Sequence, residues 1–150
     1  MAHIRSAPDL PACDFQLVFA PGDARADPKT GAFDPALSIG LSYWTPKSRG
    51  SVLIRTSDPT TPPAIRLNLL TERDDVDALV RALERAREII ATEPIASAVG
   101  PELLPGPGSD VKACIRETAI TTRHPTCSVA MGVIVSGKEL GGKQTSGALR

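Results

Sequence analysis

A chain of 150 residues, 41% of them apolar, is long enough for one compact domain with a core, and its 17 basic and 17 acidic residues, scattered in both signs, leave no electrostatic footprint for nucleic acid or an anionic membrane. No apolar run reaches the roughly 20 residues of a spanning helix, and no charged segment followed by an apolar one opens the chain, so a cytoplasmic protein without a membrane span is expected. Cys13, Cys114 and Cys127 have no CxxC spacing and the chain has two histidines, so neither a zinc site nor a disulfide framework is expected.

With 14 prolines and 12 glycines, the chain favours short strands joined by turns over a helical bundle. Met1 to Ala12, broken by Pro8 and Pro11, reads as an extended lead-in without an element of its own. Asp14 to Ala20 alternates as a strand and stops at Pro21-Gly22. Asp23 to Pro35 is a surface loop of small and turn-forming residues. Leu37 to Trp44 alternates apolar with small or polar residues, the period of a half-buried strand. Lys47 to Gly50 is a tight connection to a strand over Ser51 to Ser57, which predicts that these two runs pair as an antiparallel hairpin. Ala64 to Leu70 alternates again, with Ile65 and Leu67 on one face and Arg66 and Asn68 on the other.

The clearest element is an amphipathic helix over Asp74 to Thr92, with Val76, Leu79, Val80, Leu83, Ala86, Arg87 and Ile90 along one face. Thr71 and Asp74 have the spacing of a capping box, and Asp74, Asp75 and Asp77 suit the positive end of the helix dipole. Arg81, Glu84, Arg85 and Glu88 form its solvated face, and Pro94 stops it. Gly100 to Gly108 is a proline-stiffened loop, and Ser109 is placed to cap a short helix running through Val111, Ile115 and Thr118. The fold class expected is α+β, a mainly antiparallel sheet with one long amphipathic helix and a shorter helix packed on it.

Two chemical motifs are considered and set aside. Gly137, followed after four residues by Gly142-Lys143, has phosphate-loop spacing, but Gln144 stands where a hydroxyl would hold magnesium. Cys127 and His124 could be drawn as a nucleophile and base, yet no orienting carboxylate or oxyanion donor is marked. His124 itself stands before Pro125 at a loop entry. Imidazole as a side-chain type titrates near neutrality, which makes it a candidate base; the alternative is a turn or packing residue.

Taken in order, Pro8-Asp-Leu-Pro, Asp14-Phe-Gln-Leu, Pro46-Lys-Ser-Arg-Gly-Ser-Val52, Asp58-Pro59, Pro63-Ala-Ile, Asn68-Leu-Leu70, the Asp-rich helix, Leu103-Leu-Pro-Gly-Pro107, Ile115-Arg-Glu-Thr118, His124-Pro125 and Met131-Gly132 resemble the substrate domain of the glucose–methanol–choline (GMC) oxidoreductases. The resemblance covers roughly residues 4 to 132. It implies a substrate domain over 1–132, partial, followed by a divergent, poorly ordered tail over 133–150.

It also implies a function: oxidation of a small alcohol, with hydride passing from its CH-OH group to FAD and His124 as the catalytic base. Thr122 would line the substrate pocket. The partners implied are the alcohol and the FAD-binding domain of the parent enzyme. Cys127-Ser-Val-Ala130 stands where the family has Gly-Thr-Cys-Arg, and Val133 to Arg150 does not resemble the family's continuation, which brings a second catalytic His or Asn. The Gly-rich FAD loop is likewise missing, so the chain reads as an inactive piece of a larger oxidoreductase that does not hold FAD by itself, with no cofactor-binding residue assigned. The alternative function is a stand-alone, non-catalytic α+β domain that binds a ligand or a protein.

Overall fold

The computed structural model describes residues 1–22 and 36–124. These hold five strands, β1 (Ala2–Ile4), β2 (Phe15–Pro21), β3 (Leu37–Tyr43), β4 (Ser51–Leu53) and β5 (Ala64–Arg66), then α1 (Arg73–Ile90), α2 (Ile95–Ala98) and α3 (Val111–Thr118). Every strand pairing is antiparallel, and the class is α+β with one long helix. The chain divides into two compact units. Among the described residues, the first contains 1–22, 36–45 and 76–118, and the second contains 46–75 and 119–124.

In the first unit β1, β2 and β3 form one sheet in that order. Alternation along β2 sends Phe15 and Leu17 inward, both fully buried, and leaves Val18 exposed. Phe15 lies opposite Tyr43 in the ladder, and their rings stack with centroids 4.5 Å apart. Against this face α1 places Ala78 and Ala82, with Ile4, Leu41, Tyr43 and Leu79 completing the cluster. Small side chains at the contact let the helix approach closely enough to bury Phe15, which contributes about 2–3 kcal/mol by area.

The lead-in over Met1 to Ala12 departs from expectation, because Ala2–Ile4 is a strand paired with Phe15–Leu17. Pro8 and Pro11 fall after it, in the connection, where they cost no ladder hydrogen bond. That connection is held by the buried Asp14 carboxylate, which accepts from the Ser6 amide at 2.7 Å and the Ser6 hydroxyl at 2.6 Å.

The expected hairpin between Leu37–Trp44 and Ser51–Ser57 does not form. β3 pairs with β2, and β4 pairs with β5. Both later strands are also shorter than their alternation suggests, and beyond β5 the positive φ values of Asn68 and Leu70, 48° and 57°, end the extended run.

The helix boundaries agree with expectation to within two residues, but the buried stripe is rotated. Its inward residues are Asp75, Val76, Ala78, Ala82 and Ala86, whereas Leu83 is only half-buried. Arg81, Glu84, Arg85 and Glu88 are exposed, as their alternation predicts, and Arg85 pairs with Glu88.

In the last turn of α1, Arg87 pairs with Glu102 at 3.1 Å and Glu84 at 2.8 Å, tying the helix to the following loop. The hydrogen bonds to Glu102 raise the pKa of this guanidinium further above its ordinary value. The loop over 103–108 turns through Gly106 at φ 81°, a backbone state that costs a side-chain-bearing residue but not glycine. α3 is capped by Asp110, whose Oδ1 accepts from the amides of Lys112 and Ala113 at 2.9 and 3.1 Å. Ser109, the expected cap, instead donates its hydroxyl to the Pro105 carbonyl. Lys112 then reaches Asp77 of α1 at 2.7 Å.

Candidate active site

The second unit is built around a carboxylate. Asp75 is fully buried. Its Oδ1 accepts the Lys47 amide at 2.7 Å, and its Oδ2 accepts the Ser48 amide at 2.7 Å and the Ser48 hydroxyl at 2.5 Å. The Ser48 Oγ in turn accepts the Glu72 amide at 3.1 Å, just before α1 begins. The carboxylate thus satisfies donors of the Pro46–Gly50 loop while the serine satisfies one at the helix start. Thr71, expected to cap α1, instead donates its hydroxyl to the Asn68 carbonyl. Lys47 adds an exposed ion pair with Asp74 at 2.5 Å.

The clasp was not anticipated from the sequence. Its signal lay in the phase of the helix: Asp75 stands on the same stripe as Ala78, Ala82 and Ala86, and a carboxylate on a buried stripe calls for donors. Which donors, 27 and 28 residues upstream, spacing does not say.

The segment from Ala119 leads to the predicted base. Thr121 Oγ1 accepts the Arg123 amide at 3.1 Å, and Arg123 takes φ 62°, a turn that sets the chain direction immediately before His124. His124 and Thr122 are both exposed, and among the described residues the imidazole makes no hydrogen bond, ion pair or ring contact. Cys127, the Gly137–Lys143 run and the 133–150 tail lie outside the described residues. Among the described residues no group of three His, Cys, Asp or Glu is placed to hold a metal ion, and no helix is long and apolar enough to cross a membrane.

FAD is a dinucleotide whose pyrophosphate needs a glycine-rich turn into a helix start free of negative charge. Neither longer helix fits. α1 opens with Asp74 and Asp75 in its first turn, and the start of α3 is filled by the Asp110 carboxylate. The described residues therefore offer no cradle for the phosphates of FAD.

The described residues thus form antiparallel α+β structure that ends in an exposed histidine behind a set turn. A family model described as GMC oxidoreductase matches residues 46–137, and the chain belongs to that family as a C-terminal domain. The oxygen-dependent choline dehydrogenase of Sinorhizobium fredii is 33% identical over 135 residues, which cover 87% of this chain and 25% of that protein. The corresponding enzyme of Rhizobium meliloti is 30% identical over the same length. Patulin synthase of Penicillium expansum is 36% identical over 101 residues, 64% of this chain and 16% of that protein. The chain thus spans about a quarter of the length of the choline dehydrogenases it matches.

Proposed function

We propose that this chain is the substrate-side part of an FAD-dependent alcohol oxidoreductase, in which His124 is the base that takes the alcohol's hydroxyl proton. The observation that supports this best is an exposed imidazole, uncommitted among the described residues, inside the 46–137 match and behind a fixed turn. When bound, the flavin supplies the hydride acceptor, and a part of the oxidoreductase other than the described residues holds it. His124 accepts the hydroxyl proton in oxidation and returns it in the reverse direction, a task suited to imidazole. Thr122, two positions earlier, offers a hydroxyl to the wall of the substrate pocket. Residues 1–132 form the domain that carries these groups. Choline, named in the relatives, is the first alcohol to test.

The test uses the Sinorhizobium fredii enzyme with this chain in place of the segment it matches. His124→Ala is expected to slow anaerobic flavin reduction by choline about 10²-fold or more while flavin content stays at the parent level. A variant reduced as fast as the parent removes His124 from the chemistry and leaves a non-catalytic binding domain as the reading.

A further inference from the structure

Past the end of α3 at Thr118, little holds the chain on its way to His124. Ile120 to His124 are all exposed. Among the described residues, the one hydrogen bond or ion pair of the stretch 119–124 runs from the Arg123 amide to Thr121 Oγ1, at 3.1 Å. A threonine hydroxyl that accepts the amide two residues on closes a turn much as a backbone carbonyl does. That turn carries Arg123 at φ 62°, a left-handed state that glycine, asparagine and aspartate tolerate and that costs a residue with a longer side chain.

The hydrogen bond and the backbone state depend on each other. One hydrogen bond and one left-handed residue are energies of similar size and opposite sign. Without the Thr121 acceptor, Arg123 loses what offsets its positive φ and relaxes toward the ordinary value of about −60°. That is a rotation of about 120° around the N–Cα bond of the residue before His124, and it swings the histidine to another position.

On the other side of His124 comes Pro125, and the residue before a proline is steered to extended backbone. With its entry set by the turn and its exit by the proline, the imidazole is left with its few staggered χ1 positions. A base needs such restriction, because a displacement of about 1 Å at the reacting atoms costs a large factor in rate.

We propose, on the reading of His124 as the base given under Proposed function, that Thr121 is a positioning residue: its hydroxyl holds Arg123 left-handed and so fixes where His124 presents its imidazole to the alcohol. Thr121 takes part in neither the proton nor the hydride transfer and acts through the backbone alone.

Two measurements test this. In the isolated 150-residue chain, followed by NMR, the Arg123 amide should exchange with solvent several-fold more slowly than in Thr121→Val, which keeps the branched shape and removes the acceptor, and Thr121→Ser should keep the protection. In the chimera described above, Thr121→Val is expected to lower the limiting rate of anaerobic flavin reduction at saturating choline about tenfold. The half-saturating choline concentration and the flavin content should stay within about twofold of the parent, and Thr121→Ser should bring the rate back to within about threefold. Arg123→Val, a β-branched residue that positive φ excludes, should be reduced about tenfold more slowly than Arg123→Gly, although both lack the guanidinium.

Equal exchange of the Arg123 amide in the parent and Thr121→Val overturns the proposal, and so does a Thr121→Val chimera reduced at the parent rate while His124→Ala is slow; in both cases the base stands. A raised half-saturating concentration at unchanged rate assigns the Thr121 hydroxyl to the substrate, and lost flavin or a lowered thermal midpoint in Thr121→Val assigns it to packing; each overturns the positioning role. A His124→Ala chimera reduced as fast as the parent removes the base and the positioning role together. The protection of the Arg123 amide does not depend on the chemistry, so its survival marks that failure as one of the catalytic reading and not of the turn.

Discussion

At the scale of single residues, carboxylates do most of the organising, each by a different set of donors. Asp75 draws two backbone amides and a hydroxyl into a buried site. Asp75→Ala should therefore leave the Lys47 and Ser48 amides and the Ser48 hydroxyl without an acceptor, costing about 3 kcal/mol in urea unfolding. A loss under about 1 kcal/mol would mean that water replaces the carboxylate without difficulty.

Asp58 is the exposed counterpart. The Thr60 amide and hydroxyl, donating at 2.9 and 2.7 Å, hold its carboxyl below the ordinary 3.8. A carboxyl depressed in the folded chain contributes stability that is present above pH 3.8 and is lost as pH falls through the lower folded value. Asp58→Asn should accordingly flatten the acid side of a stability-against-pH curve, and a curve of unchanged slope would contradict this assignment. Neither role was legible from the chain alone. Asp58-Pro59 figured only as one piece of the family resemblance, and Asp75 only as a dipole partner, because linear spacing shows which residues are acidic but not which amides are turned toward them.

Among the elements, periodicity located most of what forms and misjudged how some of it pairs. The helix over Asp74 to Thr92 was visible because its apolar period is long and ends at a proline, and β2 and β3 were visible from alternation. The partner of β3 was not. Local turn signals at Lys47 to Gly50 favour a hairpin, while the decision belongs to the nonlocal match of β3 with Phe15 and Leu17.

The same limitation rotated the helix stripe. Counting large apolar residues selects Leu83, yet the face that meets the sheet is the one whose alanines admit Phe15. Phe15→Ala, emptying the space between β2 and α1, should lower stability by about 3–5 kcal/mol in chemical denaturation. A cost near 1 kcal/mol would place the core elsewhere. Caps follow a similar rule: Ser109 and Asp110 are both competent by type, and loop geometry gives the role to Asp110.

For the whole molecule, ordered resemblance carried more than composition could. Balanced charge and ordinary apolar content describe very many domains, whereas the Pro-Lys-Ser-Arg-Gly turn, the Leu-Pro-Gly-Pro loop and His124-Pro125 in sequence point to GMC oxidoreductases, the family whose model matches residues 46–137. The structure gives one of these motifs a physical purpose, since Ser48 of the turn is the partner of Asp75.

The central claim is that His124 serves as the base in alcohol oxidation, and transient kinetics test it most directly. In the choline dehydrogenase chimera mixed anaerobically with choline, the account predicts flavin bleaching that His124→Ala slows about 10²-fold at unchanged flavin content. Equal rates for the two proteins, or a flavin-loaded parent that choline does not bleach, would contradict it.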